Sequence, residues 1–213
     1  MVVAPSSFDT GADEETRKRI FARDNHECQY CGFESEKFHL IHHKDGNVRN
    51  GKVDNLVTSC IFCHQCFNVD KIPDQKSGTL IWMPELTQAQ VHHMARSIYV
   101  ARITQGPMAE IARNTLEMIM KRREEAVARI KTDDPQILAL VLKDYIGKKD
   151  YDRRNEKLDG IRIFPLDRRT IKEGELEFNQ FPQILAYWRS KDGPFAKLNP
   201  NDWVDHYRDL KAA

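Results

Sequence analysis

The chain has 213 residues, a length that allows one well-buried core or a small module joined to a larger part. Its 33 basic and 32 acidic residues leave a formal net charge of +1, so no overall basic field would attract it to nucleic acid. The N-terminal sequence has no basic stretch before an apolar run, and no window reaches the roughly 18 apolar residues of a spanning helix. We therefore expect a soluble, cytosolic protein without direct membrane insertion.

The first part of the chain predicts a small mixed unit. Thr10 and Asp13 can cap a helix that ends near Asp24, and "CQYCG" then predicts a tight turn. "FHLIHH" is typical of a strand, "KDGNVRNGK" of a polar loop, and "NLV" of a second short extended piece. A helix is expected from about Ile61.

The remainder of the chain predicts mostly helices. After a break at "KIPDQKSGTL", "LIWMPE" indicates a short buried strand, and Thr87 with Gln90 forms a capping box. Helical spacing of apolar residues predicts a helix from this capping box to Gly106 and Pro107 and a second helix to about Ile130. "QILALVLKDYI" predicts another helix. "IRIF" indicates a strand, and "FPQILAYWRS" and "NPNDWVDHYRDL" indicate short helices.

These elements predict an α+β fold. A small strand-strand-helix module is followed by a mostly α-helical remainder with a few short strands. The predicted division lies between residues 1–75 and 76–213, with the two parts packed as one body.

All five cysteines fall in one short segment. Cys28 and Cys31 are separated by two residues, as are Cys60 and Cys63. Because each CxxC can present two thiolates from one turn, the two pairs together predict a tetrahedral structural Zn²⁺ site. Four buried cysteines acting as small apolar residues are the alternative, but paired spacing is rare by chance. Cys66 forms an overlapping CxxC with Cys63 and could replace Cys60, although Cys60 fits the turn after "NLVTS" better.

Polar residues that could carry chemistry lie inside this cysteine frame. They are His42, His43, Asn55, His64 and Asn68. With "CxxC", "IHHKDGN", "DNL" and "CxxCH" in this order, the segment from Cys28 to Asn68 resembles the zinc-stapled HNH endonuclease family. The resemblance covers about a fifth of the chain and implies a strand-strand-helix metal fold.

The HNH resemblance implies a mechanism for a nuclease. His43 would be the general base, Asn55 would orient its imidazole, and His42 and His64, with Asn68, would hold a second, divalent cation. The chain departs from the family pattern, because a histidine precedes the base where aspartate is frequent and Asn68 stands where many members have histidine. A shell of imidazole and amide binds Mg²⁺ poorly but could accept zinc or nickel. The alternative is that His42 and His43 only close hydrogen bonds beneath the zinc turns.

A second resemblance extends over most of the chain. "GTLIWMPELTQAQVHHMARSIYVA", together with the cysteine segment, is similar to the IcmJ (DotN) family of Dot/Icm type IVB secretion subunits, found in pathogens such as Legionella. It implies a cytoplasmic interaction subunit without nuclease activity, attached to the inner-membrane coupling complex. The implied partners are the C-terminal extension of the coupling ATPase DotL, with DotM and the adaptors IcmS and IcmW, and no nucleic acid. A metal-dependent HNH nuclease remains the alternative function.

All three tryptophans lie outside the cysteine segment. Because Trp and Tyr are favoured interface anchors, we expect a partner to bind around Trp188, Phe195 and Trp203. The alternative is that the tryptophans fill the core of this part of the chain, which is the expectation for Trp82. His92 and His93 point about 100° apart on a helix, so they cannot readily share one ion. We expect these two histidines to be surface and edge residues without function.

Overall fold

The computed structural model describes residues 12–212, with side chains described as far as residue 209. Thr10, expected to help cap the first helix, lies outside the described residues. The α-helices are, in chain order, α1 Glu14–Arg23, α2 Ile61–Cys66, α3 Ile72–Gln75, α4 Gln88–Arg102, α5 Pro107–Ile130, α6 Pro135–Leu140, α7 Lys148–Asp152, α8 Arg154–Lys157, α9 Phe181–Arg189 and α10 Trp203–Ala212. The strands are β1 His39–His43, β2 Leu56–Cys60, β3 Gly78–Trp82, β4 Ile161–Pro165, β5 Thr170–Glu173 and β6 Leu176–Asn179. The expected α+β class is confirmed.

Side-chain caps mark the starts of α1 and α4. Asp13 is the N-cap of α1, and its Oδ1 accepts the Thr16 N–H at 2.7 Å. The capping box expected at α4 is present, because Thr87 and Gln90 bond each other's backbone N–H groups reciprocally. The capping box therefore placed the start of α4, and Asp13 is the part of the cap predicted for α1 that the described residues show.

The strands of the described residues form three antiparallel pairs. β1 pairs with β2, so that His39 lies opposite Cys60 and His43 opposite Leu56. β3 pairs with β4 across some eighty residues of sequence, which joins the start of the second part to its middle. The third pair, β5–β6, was not predicted, because its segment is heavily charged and mostly exposed.

The helix predicted over "QILALVLKDYI" is only partly correct. α6 ends at Leu140, and the backbone continues as a π-helical segment over Val141–Tyr145. The boundary was missed because the apolar periodicity runs through both pieces, and periodicity alone does not distinguish α from π winding.

The largest hydrophobic cluster takes residues from both predicted parts. Cys28 and Cys60 share it with Ile81, Tyr99 and Trp188. The boundary near residue 75 stays a prediction, since this core crosses it. None of the helices among residues 12–212 has the length and apolar character needed to cross a membrane.

Candidate metal centre

Four thiols converge at one end of the β1–β2 hairpin. The Sγ atoms of Cys28, Cys31, Cys60 and Cys63 all lie within 4.8 Å of one another. Three of these cysteines are buried, and Cys31 is partly buried. The two CxxC pairs, with 28 residues between them in sequence, therefore meet as their spacing predicted.

Two different local structures present these pairs. The first pair lies in a tight turn in which Cys28 O accepts the Gly32 N–H at 2.9 Å and Cys28 N–H donates to Phe33 O at 3.0 Å. Gly32 has φ +72°, a conformation that strongly favours glycine. The second pair spans the β2–α2 junction, where Cys60 is the N-cap of α2 and its Sγ accepts the Cys63 N–H at 3.4 Å.

The thiol set fits a tetrahedral zinc ion. A tetrahedron with Zn–S bonds of about 2.3 Å has S···S edges of about 3.8 Å. The Cys31 and Cys60 Sγ atoms are 3.7 Å apart. Four sulfurs without a carboxylate form a donor set typical of structural zinc, so the residues fit the ion that the spacing predicted.

The neighbouring thiols shift the pKa of Cys31 and that of Cys60 in opposite directions. Hydrogen bonds from the neighbouring thiols, chiefly Cys28, lower the pKa of Cys31. Burial, together with hydrogen bonds to the Cys28 and Cys31 thiols, raises the pKa of Cys60 well above its ordinary value. Because a thiolate is the form that binds a metal ion, a lowered pKa at Cys31 favours metal binding.

Helix α4 places three nitrogen-bearing side chains against this cluster. Arg96 Nη2 lies 2.8 Å from Cys60 Sγ and 3.7 Å from Cys31 Sγ. His92 Nδ1 lies 3.2 Å from Cys63 Sγ, and His93 Nε2 lies 2.6 Å from Cys31 O.

The expectation that His92 is a surface or edge residue is wrong. Its side chain is fully buried, because α4 packs this face onto α2. His93 is exposed, yet it also contacts the first CxxC turn. The available sequence signal was the i, i+4 spacing of His92 and Arg96 on an otherwise apolar helix face.

Cys66 lies outside the four-thiol cluster. Its Sγ is 3.4 Å from Phe62 O, to which it donates, and 3.6 Å from His92 Nε2. Burial raises the pKa of this thiol to about 12, which favours the neutral form. The geometry thus favours Cys60, rather than Cys66, as the fourth ligand.

The histidines of the HNH resemblance gather around α2 and β1. The His42 and His64 ring centroids are 5.9 Å apart, and His42 stacks on Phe67 at 4.2 Å. The Asn68 amide lies 3.4 Å from His64 Nδ1 and also donates to His64 O. Burial lowers the pKa of His42 to about 4 and that of His64 to about 3, so both rings are neutral at pH 7.

His43 and Asn55 are not joined in the way the nuclease resemblance implies. The side-chain amide of Asn55 donates to Asp45 Oδ1 and Asn50 O, and its Oδ1 accepts the Asp45 N–H. His43 is buried, and its Nδ1 has no hydrogen-bond partner among the described residues. Asn55 therefore organises the loop beside the histidine instead of orienting its ring.

Trp188 does not have the exposure expected of a partner-binding residue. It is 1% exposed, with Phe33 and Phe62 at ring-centroid distances of 5.7 and 5.8 Å in edge-to-face contact. Phe195 and Trp203 are half-buried against the same cluster. Trp188 therefore belongs to the core, and only the other two aromatic residues reach the surface.

Comparisons with known proteins identify a relative. No protein-family model matches the chain. The chain is 32% identical over 152 residues to the Type 4 apparatus protein DotN of Legionella pneumophila, a match that covers 70% of this chain and 71% of that protein. The chain therefore belongs to the DotN family.

Proposed function

We propose that this protein is a zinc-stabilised structural subunit of a type IVB secretion apparatus. The observation that carries the proposal is the identity to DotN over most of both chains. The four-thiol cluster supports zinc as the resident ion, since all four donors are cysteine sulfurs that lie within 4.8 Å of one another. When bound, zinc would hold the CxxC turn and the β2–α2 junction together.

The ion can be identified without any substitution. Elemental analysis of the purified protein should find about one zinc per chain, as four-cysteine sites bind a single ion. A different transition metal at the same stoichiometry would contradict the assignment of zinc and leave the cluster as a metal site. A protein without any bound metal would contradict the metal assignment itself.

The partner that the DotN resemblance implies is the C-terminal extension of the coupling ATPase DotL. In this proposal the protein works on the cytoplasmic side of the inner membrane, with DotM, IcmS and IcmW, and supports effector recruitment. The α10 surface is the candidate contact, because Val204 and Tyr207 are exposed beside the half-buried Trp203. Apolar and aromatic residues at such positions are typical anchors for a peptide helix.

Binding of the purified DotL extension tests both the partner and the surface. We expect Trp203→Ala to weaken binding by about tenfold or more, because truncation of an interface anchor costs about 2 kcal/mol. Tyr145→Ala is the matched control, as Tyr145 is 81% exposed and belongs to the π-helical segment instead of α10. Equal affinities of both variants would contradict the surface, and no binding by the wild-type protein would contradict the partner.

A metal-dependent nuclease is the alternative, and the closeness of His42 to His64 is the observation that favours it. Against it stand the net charge of +1, the burial of His43 and the use of Asn55 within the loop. Incubation with plasmid DNA in magnesium, manganese or nickel should give no cleavage. Cleavage that disappears in His43→Ala would reverse the choice between the two functions.

A further inference from the structure

We propose that α4 supplies the outer shell of the metal centre, with Arg96 and His92 as positioning residues that donate hydrogen bonds to Cys60 and Cys63. Gln88, one turn before His92, fixes which ring nitrogen of His92 carries the proton. This inference rests on the proposed metal site and adds residues that the cysteine spacing does not indicate.

The role of Gln88 follows from counting its protons. Its Nε2 donates to Ile163 O at 2.7 Å, while its Oε1 accepts the Ile163 N–H at 2.9 Å. Exchanging the amide nitrogen and oxygen would break both bonds, so the orientation of the amide is fixed. The second proton on Nε2 then points to His92 Nε2, which lies 2.9 Å away.

The tautomer of His92 is a consequence of that contact. Because Nε2 accepts from Gln88, the proton of the neutral ring must be on Nδ1. Nδ1 lies 3.2 Å from Cys63 Sγ, so its N–H is directed at a metal-binding sulfur. The β4 backbone, Gln88, His92 and Cys63 thus form one continuous hydrogen-bonded chain, of the kind that orients metal ligands in other sites.

Arg96 contributes charge as well as a hydrogen bond. Its side chain is 1% exposed, and its guanidinium lies 3.9 Å from the centroid of the Phe33 ring and 5.1 Å from that of Phe62. Its Nε and Nη1 have no hydrogen-bond partner within the described part of the chain, which leaves the thiol cluster as its polar contact. A buried cation is costly unless an anion faces it.

A zinc ion with four thiolates provides that anion. Two positive charges and four negative ones leave a net charge of −2, and burial of this charge is unfavourable without compensation. The positive charge of Arg96 offsets half of this net charge. The N–H groups of Arg96 and His92 also donate to lone pairs of the Cys60 and Cys63 sulfurs. Sulfurs that accept such bonds are weaker nucleophiles, so we expect α4 to slow the loss of zinc to electrophiles and chelators.

Zinc release measures this role directly. The zinc-loaded full chain would be treated with excess EDTA and N-ethylmaleimide in parallel, and zinc loss would be followed by elemental analysis after desalting. Outer-shell substitutions usually cost about 10- to 100-fold in metal affinity. Because weaker binding is expected mainly as faster release, we expect Arg96→Met and His92→Phe to lose zinc about 10- to 100-fold faster than wild type. Arg96→Lys, which keeps the charge, should fall between.

Arg102→Met is the matched control on the same helix. Arg102 pairs with Asp167 at 2.6 Å on the exposed side and should leave the release rate unchanged. Release from Arg96→Met and His92→Phe at the wild-type rate would overturn the proposal, as would an equal acceleration in Arg102→Met.

The tautomer of His92 can be measured in the wild-type protein, which keeps the proposal testable if a variant does not fold. A long-range ¹H–¹⁵N spectrum of the zinc-loaded chain should show Nδ1 of His92 protonated and Nε2 not. The opposite tautomer would overturn the outer-shell role while the zinc assignment stands. A wild-type chain without zinc would overturn the metal assignment and this inference together.

Discussion

The two ends of the β1–β2 hairpin are built from the same short segment but differ in how they are supported. At the Cys60 end, four thiols meet and α4 supplies nitrogen donors from a distant part of the chain. At the His43 end, Asn55 organises the polar loop that follows β1, and His43 Nδ1 has no partner among residues 12–212. Outer contacts hold a metal ligand in place. At the thiol end His92 and Arg96 supply such contacts, whereas Asn55, the residue expected to orient His43, is bonded within the loop. The comparison therefore favours a structural metal centre over a catalytic histidine site.

The largest effect should come from breaking the thiol end. We expect Cys63→Ser to lose the metal ion and the cooperative unfolding transition, because structural zinc supplies on the order of 10 kcal/mol, comparable with the stability of a whole domain. Cys28→Ser should behave alike. Metal content and thermal melting would be compared with Cys66→Ser, whose sulfur lies outside the cluster and which should keep its ion. An unchanged melting temperature in Cys63→Ser would refute the centre as a structural staple.

Replacement of Trp188 tests the packing behind the four-thiol cluster. Its indole supports Phe33 and Phe62, the two rings that flank Arg96. We expect Trp188→Ala to lower the free energy of unfolding by about 3–5 kcal/mol, as a large buried aromatic ring leaves a cavity. Denaturant unfolding measures this, and Trp203→Ala should cost clearly less because Trp203 is only half-buried. If both substitutions had equal effects, Trp188 would not be the core residue that its burial indicates.

The histidine end should respond to acid. The folded protein holds the pKa of His42 at about 4 through burial, against 6.5 for an ordinary histidine. Between these values the unfolded chain binds a proton that the folded chain does not, so the free energy of unfolding falls as the pH drops from 6.5 towards 4. The full contribution of His42 to this loss is up to about 3 kcal/mol.

His42→Phe keeps a ring against Phe67 and removes the titrating group. We expect this variant to lose less stability than wild type between pH 7 and pH 4.5, in denaturant unfolding at each pH. His206→Phe, at an exposed position, should follow the wild-type pH dependence. Because any acid release of metal affects all three proteins, only the difference between them is informative. Parallel curves for wild type and His42→Phe would contradict the burial of a neutral imidazole.

The same comparison shows what the sequence could predict. The CxxC turns, the strand-strand-helix order and the capping box at Thr87 depend on short spacings, and all are present in the structure. The contacts of His92 and Arg96 with the thiols join positions at least 29 residues apart, which periodicity cannot reveal. Trp188 was expected at a surface because residue type alone does not distinguish a core ring from an interface anchor.

The smallest effect should follow from loosening the loop at the histidine end. Asn55 holds this loop through two donated bonds and one accepted bond, and it is partly exposed. Because water can replace part of these bonds, we expect Asn55→Ala to cost about 1 kcal/mol and to speed hydrogen exchange of the Asp45 amide. Asn47→Ala, which removes a single bond to the Arg49 N–H in the same loop, is the matched control and should speed exchange of that amide alone. If Asn55 instead served catalysis by orienting His43, its substitution would leave Asp45 exchange unchanged and abolish a DNA cleavage activity. Faster exchange without any cleavage to lose assigns Asn55 to the loop, and the two ends of the hairpin then differ in role as they do in support.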